Sequence, residues 1–266
     1  MKYLKPINEI WGPVLKRDLL GETREEDKFH SREELQKYLK LEIKKQGENA
    51  VIRDLDVSPI EDLSELFWGC KNIKSLDLSG WKTSNVKNMN KLFHNCVNLE
   101  SVDLSGWDTS SLVDMSYMFC LCQKLKSLDL SNWDTSSLKK AHYAFDDCLL
   151  LESINVSTWN TTKLEKVDSM FYNCRKLKSI DLSNWNTSKI SGATGMFWGC
   201  SSIESLDLSS WNTSNVKDMR CMFMDCIKLK SLDLSGWDTS NVDFMLNMFT
   251  NCPAPYEVID NKIVKK

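Results

Sequence analysis

Short runs such as Ser75-Leu76-Asp77-Leu78-Ser79 alternate apolar and polar positions, the signature of a strand with one buried face. Each is followed by apolar residues spaced three and four apart, as at Val86, Met89, Leu92, Phe93 and Cys96. That spacing predicts a helix of about three turns with one apolar face. The pair of patterns returns every 26 residues without insertion or deletion. Trp81, Trp107, Trp133, Trp159, Trp185, Trp211 and Trp237 form one column, Phe67 to Phe249 a second and Cys70 to Cys252 a third. An unbroken period of this length predicts a solenoid. The expected fold is an α/β solenoid, a right-handed stack of strand–helix turns with a parallel sheet on one side. Equivalent residues then lie about 4.8 Å apart, so each column becomes a ladder and neighbouring turns bury what one turn cannot.

Between strand and predicted helix lies Trp81-Lys82-Thr83-Ser84, elsewhere usually W-[DN]-T-S. Its Thr and Ser are expected to accept from the free N–H groups that open the helix. Gly192, Ala193 and Gly195 weaken one predicted helix, since each Gly costs about 1 kcal/mol of helix propensity.

The ends differ from the array. Residues 1–50 are expected to form an N-terminal cap. A hairpin is expected around Gly21, and Arg24–Lys28 is a charged, solvated run. A helix over about 31–46 follows, opened by the capping box Ser31-x-x-Glu34 and ended by Gly47. Residues 51–252 hold about eight repeats, the first imperfect, with Leu55 in place of Trp. Pro253 and Pro255 stop a further helix. Residues 253–266 are then a cap strand at Tyr256–Ile259 and a fraying tail.

Leu99-x-x-Val102-x-Leu104-x-x-Trp107 resembles a leucine-rich repeat with Trp where Asn or Cys is usual. The fuller pattern, LDLSxWDTSxVxxMxxMFxxCxxLxS, resembles the BspA-like leucine-rich-repeat surface proteins over about 31–252. That resemblance implies a protein-binding role, often as an exported adhesin, with no shared catalytic residues.

A net charge of −3 over 266 residues gives no global drive toward nucleic acid or membrane. No apolar run is long enough to span a bilayer, and the N-terminus has charges and prolines where a signal peptide needs an apolar core. The expectation is a cytoplasmic protein as the sequence stands, or a cell-surface one if a leader has been removed. The expected partner is a protein, with a nucleoprotein left open and no membrane contact. Eight of the ten Cys fall in one column beside Phe, which reads as buried free thiols rather than disulfides. Cys120 and Cys221 lie off it and are expected to react faster. No catalytic, nucleotide or metal motif spacing occurs, so neither an enzyme nor a cofactor or metal is expected.

Two surfaces are candidates for the partner. The strand face carries Asp77, Asp103, Asp129, Asp181, Asp207 and Asp233, with Asn155 in the same column. Beside it runs a Lys/Glu column of alternating sign from Lys74 to Lys230, which suits pairing between turns. Together they hold six Asp, three Glu and four Lys, a net of −5. Carboxylates about 4.8 Å apart repel by roughly 0.9 kcal/mol in water. The column is therefore either an acidic strip for basic groups or a structural ladder satisfied by flanking Ser hydroxyls. The second surface is irregular. The position after the Phe column varies through Trp68, His94, Cys120, Asp146, Tyr172, Trp198, Met224 and Thr250, with Tyr117, His142, Tyr143 and Phe244 nearby. Exposed aromatic residues favour interfaces, and the alternative is packing between turns. Trp198 is expected to be especially free, because the glycines before it leave room.

Overall fold

A computed structural model describes residues 28–266. The expected hairpin at 15–23 and most of the charged run at 24–28 lie outside the described residues. Helix α1 spans Arg32–Gln46. Ser31 accepts from the Glu34 backbone N–H, and Gly47, at φ +78°, closes the helix by donating to the Ile43 carbonyl. Leu35 and Leu39 carry its buried face.

The array is a parallel-sheet β-solenoid of about seven turns. Strands β1 (Asn49–Val51), β2 (Ser75–Asp77) and β3 (Ser101–Asp103) form one parallel sheet. β4 (Ser127–Asp129) pairs with β5 (Ser153–Asn155), and β6 (Ser205–Asp207) with β7 (Ser231–Asp233). Partners are 26 residues apart, as in Ser75↔Ser101 and Asp207↔Asp233. The expected sheet is thus divided into three pieces, and residues 179–181 form no strand.

The helices expected within the repeats are absent, and α1 is the one expected helix that forms among the described residues. Residues 86–96 are successive tight turns. Leu92 N–H donates to the Met89 carbonyl, and Cys96 N–H to that of Phe93, three residues back rather than four. Met89, Lys91, Phe93 and Asn95 donate instead to Asp114, Ser116, Met118 and Cys120 on the next turn. The reason is backbone handedness. Lys91 and Asn95 have φ of +56° and +62°, the left-handed region no α-helix residue adopts. The same two positions are left-handed on each turn, through Glu65, Tyr117, Tyr143, Ser169, Gly195, Cys221 and Asn247 and through Gly69, Leu121, Asp147, Asn173, Gly199, Asp225 and Asn251. Consecutive turns reproduce the three-and-four spacing of a helix, which is why the apolar pattern alone misleads. Parallel bridges from Asp62 through Asn88, Asp114, Lys140, Lys166, Gly192 and Asp218 to Phe244 make this side the more continuous ladder.

Side chains stitch the turns as well. The Trp81 indole N–H donates to the Ile52 carbonyl at 2.6 Å, and Trp107, Trp159, Trp185 and Trp237 repeat the bond 29 residues back. Trp211 is the orphan: its buried N–H has no partner, and the turn before it is the one without a strand. Thr83, expected to accept at a helix start, donates its hydroxyl to the Asp108 carbonyl on the next turn. Thr109, Thr135, Thr161, Thr187 and Thr213 do the same. Each column Cys from Cys96 to Cys226 donates its thiol to a Phe carbonyl one turn back, as Cys148 does to Phe119 at 3.2 Å. All ten cysteines are free. Stacked Phe rings from Phe67 to Phe249 fill the centre, with adjacent centroids 5.2–5.9 Å apart.

The tail is paired. β8 (Tyr256–Ile259) and β9 (Lys262–Lys265) form an antiparallel hairpin around Asp260-Asn261, both left-handed as a two-residue hairpin of this kind requires. Tyr256 lies against Phe249, with centroids 6.2 Å apart, and the Asn261 amide donates to the Val242 carbonyl.

Candidate functional site

The Asp column lies on the outward flanks of the strands. Each carboxylate closes a local turn: Asp103, Asp129, Asp181, Asp207 and Asp233 accept from the backbone N–H two residues on at 2.9–3.0 Å. Asp77 does the same at 3.1 Å. Ser side-chain and backbone hydrogen bonds hold Asp129, Asp181 and Asp207 below the usual carboxylate range. Asp77 falls to about 2, chiefly because the Arg53 guanidinium bonds it. The column therefore has a structural use at every turn. In the neighbouring column Lys74 meets Glu48, Lys126 meets Glu100 and Lys178 meets Glu152, each across one turn.

The irregular aromatic residues sit on the tight-turn segment and fall into three groups. The first is continuous. The rings of Trp68 and His94 lie 6.1 Å apart, and those of His94 and Tyr117 6.3 Å. Tyr117 stacks on Tyr143 at 4.7 Å and 5°, with His142 edge-on to Tyr117 at 5.3 Å. Tyr117 and Tyr143 occupy successive left-handed positions, so one backbone conformation presents both rings in the same way. The His142 ring nitrogen Nδ1 lies 3.0 Å from the Ser116 hydroxyl, while His94 Nδ1 is buried without a partner. Burial pulls both histidines below their ordinary value. Trp68 is 54% exposed, with the Lys91 ammonium 5.7 Å over its ring.

The second group is Tyr172 and Trp198, edge to face at 5.0 Å. Trp198 is half-buried and tied down: its indole N–H donates to Asp225 at 3.0 Å. The ring also leans over Gly195, where an added Cβ would lie 3.7 Å from it. The bond to Asp225 is the reverse of the expected freedom. Three carboxylates border the pair. Burial raises the Tyr172 phenol above its ordinary value, and so do Asp146, Asp147 and Asp225. Asp146 accepts from the Cys120 thiol at 3.4 Å, and its other oxygen is buried without a partner.

The third group is Phe244, which lies apart under the Arg220 guanidinium at 5.1 Å. Met224 is half-buried, its carbonyl accepting from Gly199. Asp147 and Asp225 lie outside the surface read from the sequence, although both stand in the left-handed column that, Leu121 apart, Gly and Asn otherwise occupy.

Among the described residues no group of three or more His, Cys, Asp or Glu is placed to hold a metal, and no helix is long and apolar enough to cross a membrane. These features define a parallel-sheet β-solenoid with an irregular aromatic strip. The chain belongs to the family described as Mycoplasma protein of unknown function, DUF285, whose model matches residues 40–153, 99–206 and 144–262. No curated protein matches it. Among solved structures, a T. pallidum leucine-rich-repeat protein is 19% identical, with 78% of each chain covered and a TM-score of 0.43. A TLR13–ssRNA13 complex is 22% identical over 69% of this chain and 24% of that one, with a TM-score of 0.39. A leucine-rich-repeat protein from Eubacterium ventriosum is 13% identical over 76% and 82%, with a TM-score of 0.32.

Proposed function

We propose that this chain is a non-catalytic protein-binding module of BspA-like type that recognises its partner through the aromatic strip. The observation that carries this reading is a contrast between columns. Trp, Phe, Thr and Cys repeat because each meets the same neighbour one turn away. The column of Trp68, His94, Tyr172 and Trp198 varies on the same scaffold, and its large side chains remain partly open to solvent. Large aromatic residues of that kind supply most of the affinity at protein interfaces. On this reading residues 51–252 present the surface, while 1–50 and 253–266 close the ends. Phe29, Leu35 and Leu39 at one end and Tyr256 on Phe249 at the other support the closing role. The Asp column takes second place as a binding surface, because each member is already used in its own turn.

Two settings compete. An exported adhesin follows from the BspA-like resemblance. An intracellular inhibitor of an effector or nucleoprotein, such as a mobile element would encode as a counter-defence factor, is favoured by ten free thiols. Fractionation of the source cells separates them. Binding itself is tested by capture from source lysate on the immobilised protein, with quantitative mass spectrometry. The reading expects a polypeptide enriched in proportion to bait and competed by soluble protein. Failure to enrich any polypeptide at micromolar bait, from both cell contents and host surface extracts, would count against it.

A further inference from the structure

The two sides of the array are joined unequally. On the tight-turn side the steps are bonded throughout. Met115, Tyr117, Phe119 and Leu121 donate to Lys140, His142, Ala144 and Asp146, and Ala193, Gly195, Phe197 and Gly199 to Asp218, Arg220, Met222 and Met224. On the sheet side the same two steps are open. Among the described residues no backbone hydrogen bond joins 100–106 to 126–132, or 178–184 to 204–210. Trp133 and Trp211, whose indoles would reach Leu104 and Leu182 across these gaps, do not make the bond that Trp107 and Trp159 make. Ring spacings record the same wedge. Trp81 and Trp107 lie 5.6 Å apart, while Phe93 and Phe119 of those turns lie 5.2 Å apart. For Trp159–Trp185, Trp185–Trp211 and Trp211–Trp237 the values are 6.0, 6.4 and 6.2 Å, against 5.8, 5.9 and 5.6 Å for Phe in the same turns.

The Asp column gives the seams a cause. Like charges opposite one another on neighbouring strands are destabilising. Asp103 faces the Asp129 step at the first seam, and Asp181 the Asp207 step at the second, with no cation on any of the four. Two bonded steps lack this conflict: Arg53 neutralises Asp77 beside Asp103, and Asn155 stands beside Asp129. Asp207 and Asp233, next to the end of the array, are the adjacent carboxylates that stay paired. A stack bonded along one side and spread along the other bends toward the bonded side. We propose that the array is jointed at these two seams, held open by adjacent carboxylates, and that it bends there toward the tight-turn side. The aromatic strip then lies on the inside of the bend. The joint belongs to the chain alone and goes beyond the protein-binding reading.

The test follows amide hydrogen exchange in the full chain at low ionic strength. Leu78 and Leu208 donate to Asp103 and Asp233, whereas the equivalent amides of Leu104 and Leu182 face the seams. Leu104 and Leu182 should exchange at least about tenfold faster than Leu78 and Leu208. Phe119 and Phe197, on the tight-turn side of the same turns, should exchange as slowly as Phe93 and Phe223. Asp129→Asn, close to isosteric, should slow Leu104 and leave Leu182 unchanged, and Asp181→Asn should do the reverse. The direction of bend is read from spin labels on an unnatural amino acid, which spares the native thiols. One pair replaces Asp77 and Asp233 on the strand face, the other Asn90 and Leu246 on the tight-turn face, each six turns apart. In a straight array both separations would be about 29 Å. The strand-face pair should be the farther apart. Exchange at Leu104 and Leu182 as slow as at Leu78 and Leu208 would overturn the joint in the wild-type chain, and Asn variants that slow neither amide would overturn its carboxylate cause. Equal label separations, or a longer one on the tight-turn face, would overturn the bend.

Discussion

The indole N–H of Trp198 donates to the carboxylate of Asp225 on the following turn, 3.0 Å away, while the ring edge meets Tyr172. Trp198 is therefore part of the scaffold as well as of the surface. Trp198→Phe keeps a ring and removes the bond, and should cost about 1 kcal/mol of stability. Trp198→Ala should cost about 1–3 kcal/mol, as a half-buried aromatic with polar ties would. Urea denaturation of the two variants measures both. No loss in either would mean that the indole is unpaired in solution.

Asp146 makes stability depend on pH in an unusual direction. Burial, and then Asp147, push its carboxyl up to about 6, against an ordinary 3.8. Between these values the folded protein holds a proton that the unfolded chain has lost. Stability therefore falls as pH rises from about 4 to about 6. Asp146→Asn should remove that step, matching the wild type near pH 4 and exceeding it at pH 7. Denaturation midpoints across this range decide, and a less stable variant at pH 7 would contradict the assignment.

The thiol ladder is chemically quiet. Burial pushes Cys200 up to about 12, and raises Cys122, Cys148 and Cys174 strongly. A thiol reagent at pH 8 should label none of these in native protein and all of them after denaturation. Cys120, expected from its place off the column to react early, is buried against Asp146 and joins the quiet set. Half-buried Cys70 and Cys221 should label first. Rapid native labelling of Cys148 or Cys174 would break the account of the core.

Gly69 separates tight turns from a helix by the sign of one mutation. It has φ +68°, and an added Cβ would meet nothing within 4 Å. In a left-handed turn Gly69→Ala should lower stability by about 1 kcal/mol. In a helix the same change would raise it by about 1 kcal/mol. Thermal or urea denaturation reads the sign directly.

The stacking of turns was legible because an unbroken period leaves little freedom: Trp81, Phe93 and Cys96 had to fall over Trp107, Phe119 and Cys122. The local backbone was harder to read. Val86, Met89, Leu92, Phe93 and Cys96 satisfy a helix and a chain of four-residue turns equally well in their apolar spacing. The deciding signal was in the polar positions. The column through Gly69, Asn95, Asp147, Asn173, Gly199, Asp225 and Asn251 is nearly all Gly, Asn and Asp, the residues that tolerate the left-handed region. Thr83 misled similarly, because a hydroxyl that caps a helix and one that reaches the next turn look alike in sequence. The irregular strip was legible as variation within a regular array. What joins its members was not: the Tyr117–Tyr143 stack follows from the left-handed backbone, and the tie from Trp198 reaches Asp225 on the next turn.

The central claim is that repeated columns hold the array together while the varied strip binds. The most direct measurement compares affinity for the captured partner and denaturation midpoint in two multiple variants. One converts Trp68, Tyr117, Tyr143 and Tyr172 to Ser. The other converts Asp129, Asp181 and Asp207 to Asn. We predict that the first loses at least tenfold in affinity per folded molecule, and that the second stays within about twofold of wild type. Loss of binding in the Asp variant, with the aromatic variant binding as wild type, would contradict the claim and move recognition to the strand face.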